Sequence, residues 1–291
     1  MTQRLAVRKT YKLWIGGAFV RSESGRYDEA HGFNFPRASR KDVRDAVQAA
    51  RKAAAPWAAR TAYNRGQILY RAAEALESRG DGIGVGREER EAAVDVLLHY
   101  AGWSDKIAPV LGGVNPVAAP FLSFSLPEPT GVVGVIAPDE PALLGLIAEL
   151  APSLAGGNVC VAVLSEKNPL PGLDLAEVLG VSDVPPGVVN LLSGRRGELA
   201  SALGAHRDLN AIVDAAGDDD LSAELDRLAA GIWTDKGSKA FEVASALKAG
   251  VIWQNTYNHF DPTAAFGGYK ESGFGREGGA GGLRPYLEVT R

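Results

Sequence analysis

The sequence predicts an α/β fold, a parallel sheet with helices on its faces, and three observations lead there. Short β-branched runs alternate with helical segments between residues 132 and 213. Three longer segments ahead of them carry apolar residues at helical spacing. Of the 291 residues, 46% are hydrophobic and 23% charged, which gives apolar content for a core or two and no sign of disorder.

Tyr11-Lys12-Leu13-Trp14-Ile15-Gly16-Gly17-Ala18-Phe19-Val20 reads as two strands joined by a Gly-Gly turn. Ser39, with Asp42 three residues on, makes a capping-box pattern for a first helix that carries Val43, Val47, Ala50 and Ala54 on one face and is expected to stop at Pro56. A second helix spans 64–79, with Ile68, Leu69, Ala72, Ala75 and Leu76 as its stripe and Gly80 just past its end. A third is expected over 87–107. Residues 121–126 alternate apolar and small polar side chains, as a strand with one buried face does, and Pro127 and Pro129 end it. The alternating series follows: strands at 132–137, 159–164, 188–192 and 211–213, with helices at 142–154, 173–179 and 198–203 between them. Such a series builds a Rossmann-type sheet, and ligands of such sheets sit outside the carboxyl ends of the strands. Helices are expected again at 221–229 and 239–249.

The formal net charge is −4 with the signs interspersed, so neither a nucleic-acid footprint nor an anionic-membrane patch is indicated. No apolar run is long enough to span a bilayer, and the basic first twelve residues lack a following apolar region, so a cytoplasmic protein is expected. Cys160 is the one cysteine, which leaves no internal disulfide and no thiolate metal cage. His31, His99 and His206 read as packing or surface residues. No two histidines have metal-ligand spacing, and no metal is expected.

Near the C-terminus stand Gly250-Val251-Ile252-Trp253-Gln254-Asn255-Thr256-Tyr257-Asn258 and Phe266-Gly267-Gly268-Tyr269-Lys270-Glu271-Ser272-Gly273-Phe274-Gly275-Arg276-Glu277. These stretches closely resemble the C-terminal signature of the aldehyde dehydrogenase superfamily. The opening hairpin and Tyr100-Ala101-Gly102-Trp103-Ser104-Asp105-Lys106 resemble the same family, and the likeness covers about 11–216 and 231–291. It implies an aldehyde dehydrogenase-like fold. Residues 1–120 and 131–230 would form a degenerate dinucleotide-binding-type domain, 121–130 and 283–291 the strands of an oligomerisation arm, and 231–282 a remnant of the catalytic domain.

Aldehyde oxidation needs a thiolate nucleophile, amide donors for the oxyanion, a hydride acceptor and a carboxylate that activates water. Where the family has an Asn side chain for the oxyanion, this chain reads Asp139-Glu140-Pro141. Of the Lys and Glu that hold the adenosine ribose in the family, Glu166 remains and Val163 stands for the Lys. The Phe-Thr-Gly-Ser motif beside the pyrophosphate is replaced by Val213-Asp214-Ala215-Ala216, which adds an anion where phosphates would lie. The motifs with the general base, the catalytic cysteine and the nicotinamide-ribose glutamate are missing between Asp220 and Gly231. Cys160 lies in mid-strand and reads as a small buried hydrophobe. His259 and Asp261 are adjacent in a loop with no nucleophile beside them. No residue is assigned a catalytic role.

The chain thus looks most like the shortened, non-catalytic half of two-part, family 16 aldehyde dehydrogenases. The implied role is a structural or regulatory subunit of a full-length aldehyde dehydrogenase, or a homo-oligomer, with no cofactor of its own. The alternative is an NAD(P)-binding or weakly active family member, with Glu166 and the turn Ser193-Gly194-Arg195-Arg196-Gly197 at the nucleotide.

Overall fold

The computed structural model describes residues 8–114, 124–125 and 127–216, and short strands at 230–232, 252–254, 266–267 and 276–277. β1 (Leu13–Ile15) and β2 (Ala18–Val20) form the expected hairpin. Gly16 and Gly17 both have positive φ, 62° and 79°, as a two-residue turn between twisted strands requires. β3 (Tyr27–Ala30) and β4 (Phe33–Pro36) make a second antiparallel pair.

α1 (Arg40–Ala58) begins at a complete capping box, the Ser39 amide donating to Asp42 Oδ2 at 2.7 Å and the Asp42 amide to Ser39 Oγ at 3.4 Å. Pro56 does not end it. The proline sits in the last turn, where it removes little of the hydrogen-bond ladder, and continuing the helix buries Trp57 to 1% exposure, a side chain of the kind whose loss from a core costs about 3–5 kcal/mol. Ala53, and not Ala54, completes the buried stripe. α2 (Ala62–Arg79) follows, with Ala73 buried in place of Ala75, and Gly80 takes φ 53° after its last residue.

The expected third helix is broken in two, α3 (Arg87–Trp103) and α4 (Ile107–Leu111). Ser104 Oγ donates to the Tyr100 carbonyl at 2.9 Å, a back-bond that bends helices, and Pro109 has no amide with which to continue the ladder. β5 (Gly113–Val114) pairs antiparallel with β6 (Phe124–Ser125), the described part of the expected strand at 121–126.

The alternating series forms as read: β7 (Val132–Ile136), α5 (Ala142–Ala155), β8 (Val159–Val163), α6 (Leu170–Leu179), β9 (Val189–Leu192), α7 (Arg196–Gly204) and β10 (Ala211–Asp214). Every residue of β7, β8 and β9 is buried, the mark of parallel strands covered on both faces. The sheet order is β10-β7-β8-β9-β1-β2, with β10 to β9 parallel and the N-terminal hairpin added antiparallel against β9. The order reverses at β7. Right-handed crossovers therefore put α5 and α6 on one face and α7 on the other. α1 packs beside α7 on its face, and α2 and α3 cover α5 and α6.

The chain divides into two units, Met1–Gly217 and Asp218–Arg291. In the second, β11 (Ala230–Ile232) pairs parallel with β12 (Ile252–Gln254), and β13 (Phe266–Gly267) pairs antiparallel with β14 (Arg276–Glu277). The expected helices at 221–229 and 239–249, His259, Asp261 and the strand within 283–291 lie outside the described residues.

Candidate functional site

The strand order reverses at β7, and in sheets of this kind the ligand crevice lies beyond the carboxyl ends of the strands at such a reversal. Three turns meet there: Ala137–Pro141 leaving β7, Ser165–Asn168 leaving β8, and Ser193–Arg195 leaving β9. The sequence singled out Asp139 on the first, Glu166 on the second and the Arg195-Arg196 pair at the third, and the fold brings them into a single charge network.

Arg196, the first residue of α7, is its centre. Its Nη2 donates to Asp139 Oδ1 at 2.6 Å and to the Ala137 carbonyl at 3.3 Å, and its Nη1 donates to Asp139 Oδ2 at 3.5 Å. Asp139 also accepts from the Glu166 amide at 3.1 Å and the Ser165 hydroxyl at 3.2 Å, with Lys167 Nζ 3.5 Å away. Burial opposes its charged form. The Arg196 hydrogen bond and charge, with the Glu166 amide and the Ser165 hydroxyl, outweigh that and hold the Asp139 carboxyl below its usual value.

Glu166 turns its carboxylate to the start of α7. Its Oε2 accepts from the Arg196 backbone amide at 2.8 Å, and its Oε1 lies 3.5 Å from Arg195 Nη1. It thus caps a helix whose own N-cap residue, Arg195, offers no side-chain bond. Arg195 reaches the other way as well, its Nε 3.6 Å from Asp28 of β3.

Another helix that opens on this edge, α5, is capped in the same manner. Glu89 of α3 accepts from the Leu143 and Leu144 amides at 2.8 and 3.1 Å, where α5 begins with Pro141 as its N-cap and no local side-chain bond. Nothing in the sequence pointed to Glu89, because its partners are 54 and 55 residues away. At the end of β10, Asp214 Oδ1 accepts from the Ala216 amide at 2.9 Å, and its buried Oδ2 has no partner among the described residues.

Cys160 is remote from this chemistry. It is the second residue of β8, wholly buried, and burial pushes its thiol up to about 12, so the reactive thiolate is suppressed. His99 stacks edge-on with Tyr100, its ring centroid 5.1 Å away, and His206 Nδ1 accepts from the Asp208 amide at 3.3 Å. Among the described residues no three His, Cys, Asp or Glu side chains stand together as metal ligands, and no described helix is long and apolar enough to cross a membrane.

A family model described as the aldehyde dehydrogenase family matches residues 23–218 and 226–291. Omega-crystallin of Enteroctopus dofleini is 31% identical over 229 residues, covering 70% of this chain and 45% of that protein. Acetaldehyde dehydrogenase 2 of Cupriavidus necator is 35% identical over 204 residues, 64% of this chain and 40% of that protein. This chain therefore spans less than half the length of these curated relatives. A solved variant of the aldehyde dehydrogenase from Bacillus cereus superposes with a TM-score of 0.68 at 20% identity, over 96% of this chain and 95% of that one, a likeness of fold.

Proposed function

Since the chain belongs to the aldehyde dehydrogenase family, we propose that it is a non-catalytic subunit that pairs, in the cytoplasm, with a full-length, catalytic aldehyde dehydrogenase. One observation carries this reading. The N-termini of α5 and α7, two of the three helices that open at the carboxyl edge of the sheet, hold the chain's own carboxylates, Glu89 on α5 and Glu166 on α7, and Arg196 is committed to Asp139. Those helix N-termini and that guanidinium are the groups a pyrophosphate would use. The residues present do not fit a dinucleotide, and Asp139 and Asp214 add negative charge to the same edge. The one cysteine, buried in β8, has neither the exposure nor the acidity of a nucleophile.

A second reading keeps NAD(P) binding, with Glu166 on the ribose and Arg195 on phosphate. It is favoured by the half-exposed Arg195 side chain, whose two acidic contacts are 3.5 and 3.6 Å long, and by a strand order that keeps the crevice open in principle. Calorimetric titration with NAD⁺ and NADP⁺ separates the readings: saturable micromolar binding would sink the first. The subunit role itself is tested by co-expression with a full-length aldehyde dehydrogenase of the same organism. A mixed complex of altered activity is the expected result, and two proteins that stay apart would count against it.

A further inference from the structure

The segment 8–11, just ahead of β1, is tied to α6 by charge. Every residue of α6 except Glu177 is buried, and Asp174, 5% exposed, is the one charged side chain among them. Lys9 Nζ donates to Asp174 Oδ1 and is the one cation against this carboxylate among the described residues, while the Tyr11 hydroxyl donates to its Oδ2 at 3.4 Å. The same ammonium lies 2.8 Å from Glu177 Oε1 and 4.6 Å from the centroid of the Tyr11 ring, and Arg79 of α2 holds the other oxygen of Glu177 at 2.5 Å. Glu177 thus has two cations and Asp174 has one. An apolar side chain at position 174 would suit a buried helix at least as well, whereas a buried carboxylate is strongly destabilising once its partner is taken away. The anchoring of α6 is therefore conditional on Lys9.

α6 in turn backs the crevice. Gly172 packs on Leu164, the residue before Ser165, so closely that an added Cβ would stand 2.6 Å from Leu164 Cδ2. Ser165 and the Glu166 amide hold Asp139 at 3.2 and 3.1 Å, and Glu166 Oε2 holds the Arg196 amide at 2.8 Å. One run of packed and hydrogen-bonded groups leads from Lys9 through Asp174 and Gly172 on α6 to Leu164 and the Glu166 cap on α7, the kind of path that carries coupling between sites. We propose that segment 8–11 is a strap that locks the Glu166 cap in place through α6. With Lys9 on Asp174 the helix stays seated and Glu166 stays on α7. With the strap lifted, Asp174 is a buried charge without a counter-ion, α6 shifts to hydrate it, and the turn that carries Glu166 follows. The Lys9 side chain is 39% exposed, so the lock is reached from solvent. What the lock means for an anion at α7 rests on the reading that the chain's own carboxylates close this crevice.

Residue-resolved amide hydrogen exchange of the full chain tests it. Lys9→Met should speed exchange at the Arg196 and Glu166 amides by about tenfold or more and leave the amides of β7 as in the wild type, and Lys9→Arg, which keeps the charge, should preserve the wild-type rates. Should Lys9→Met not fold, Lys9→Met with Asp174→Asn removes the buried charge together with the strap's ionic hold, and the same two amides should still exchange faster. Faster exchange confined to α6, or spread equally over the sheet, would overturn the proposal, as would no change at all. Calorimetry with inorganic pyrophosphate separates this from the closed-crevice reading. Tighter binding in Glu166→Gln with unchanged exchange in Lys9→Met would sink the strap and keep that reading; faster exchange in Lys9→Met with no gain in Glu166→Gln would keep the strap and sink the reading.

Discussion

Replacing Arg196 with methionine keeps most of the aliphatic stem and removes the charge at the centre of the crevice network. The guanidinium and the Asp139 carboxylate are 16% and 20% exposed, and their shorter contact is 2.6 Å. A hydrogen bond to a charged group contributes about 1.5–3 kcal/mol. Asp139 would still accept from Ser165 and from the Glu166 amide, and some solvent reaches it, so the expected loss is near 2 kcal/mol. For a unit of about 200 residues that lowers the melting midpoint by roughly 4–8 °C, which circular dichroism at neutral pH would read. The effect should also depend on pH. The Asp139 carboxyl lies below its usual value in the fold, so the stability it brings is present above its unfolded pKa and is lost as pH falls through the folded one. The gap between wild type and Arg196→Met should therefore be full at neutral pH and close below about pH 4. Equal midpoints at neutral pH, or a gap that persists unchanged into acid, would refute the pairing as the source of that stability.

Two further outcomes follow from neighbouring geometry. Glu89→Ala should destabilise the fold by about 1–2 kcal/mol in urea titration, because the first amides of α5 lose the one charged acceptor they have among the described residues and no local side chain replaces it. Cys160 should resist iodoacetamide in the native protein at about pH 8, where a thiol pushed up to about 12 is roughly one part in ten thousand thiolate, and should react at once in urea. Rapid native labelling would show that β8 opens locally.

Where structure follows from local spacing, the sequence was legible. The capping box of Ser39 and Asp42, the Gly16-Gly17 turn and the order of strands and helices from β7 to β10 are all written in residues a few positions apart. Local reading failed where a distant partner decides. Pro56 reads as a stop until Trp57 finds a pocket against the Leu154 carbonyl, 97 residues away. The hairpin gives no sign that its first strand joins β9, with Trp14 opposite Leu191. At the crevice, Asp139 stood out as a departure, Glu166 as a retained ribose residue and Arg195 and Arg196 as a turn pair, yet their mutual satisfaction was not visible. A charge looks available in a sequence until the fold shows what already holds it.

That distinction puts a number on nucleotide binding. To place a pyrophosphate at this edge, a dinucleotide would have to displace Glu166 from the α7 amide, displace Glu89 from the α5 amides and detach Arg196 from Asp139. Each carboxylate cap contributes about 1 kcal/mol and the Arg196–Asp139 pair about 2, so opening the crevice costs on the order of 4 kcal/mol, a factor of about a thousand in affinity. A ligand that would bind an open crevice at about micromolar concentration is therefore expected at about millimolar here. Removing the occupants reverses part of that loss: Asp139→Asn with Glu166→Gln leaves the Arg196 guanidinium and the α7 amide to an incoming phosphate and should tighten NAD⁺ or inorganic pyrophosphate by about ten- to a hundredfold in calorimetry. Micromolar binding by the wild type, or no gain in the double variant while its fold is retained, would show that the carboxylates are not what closes this crevice.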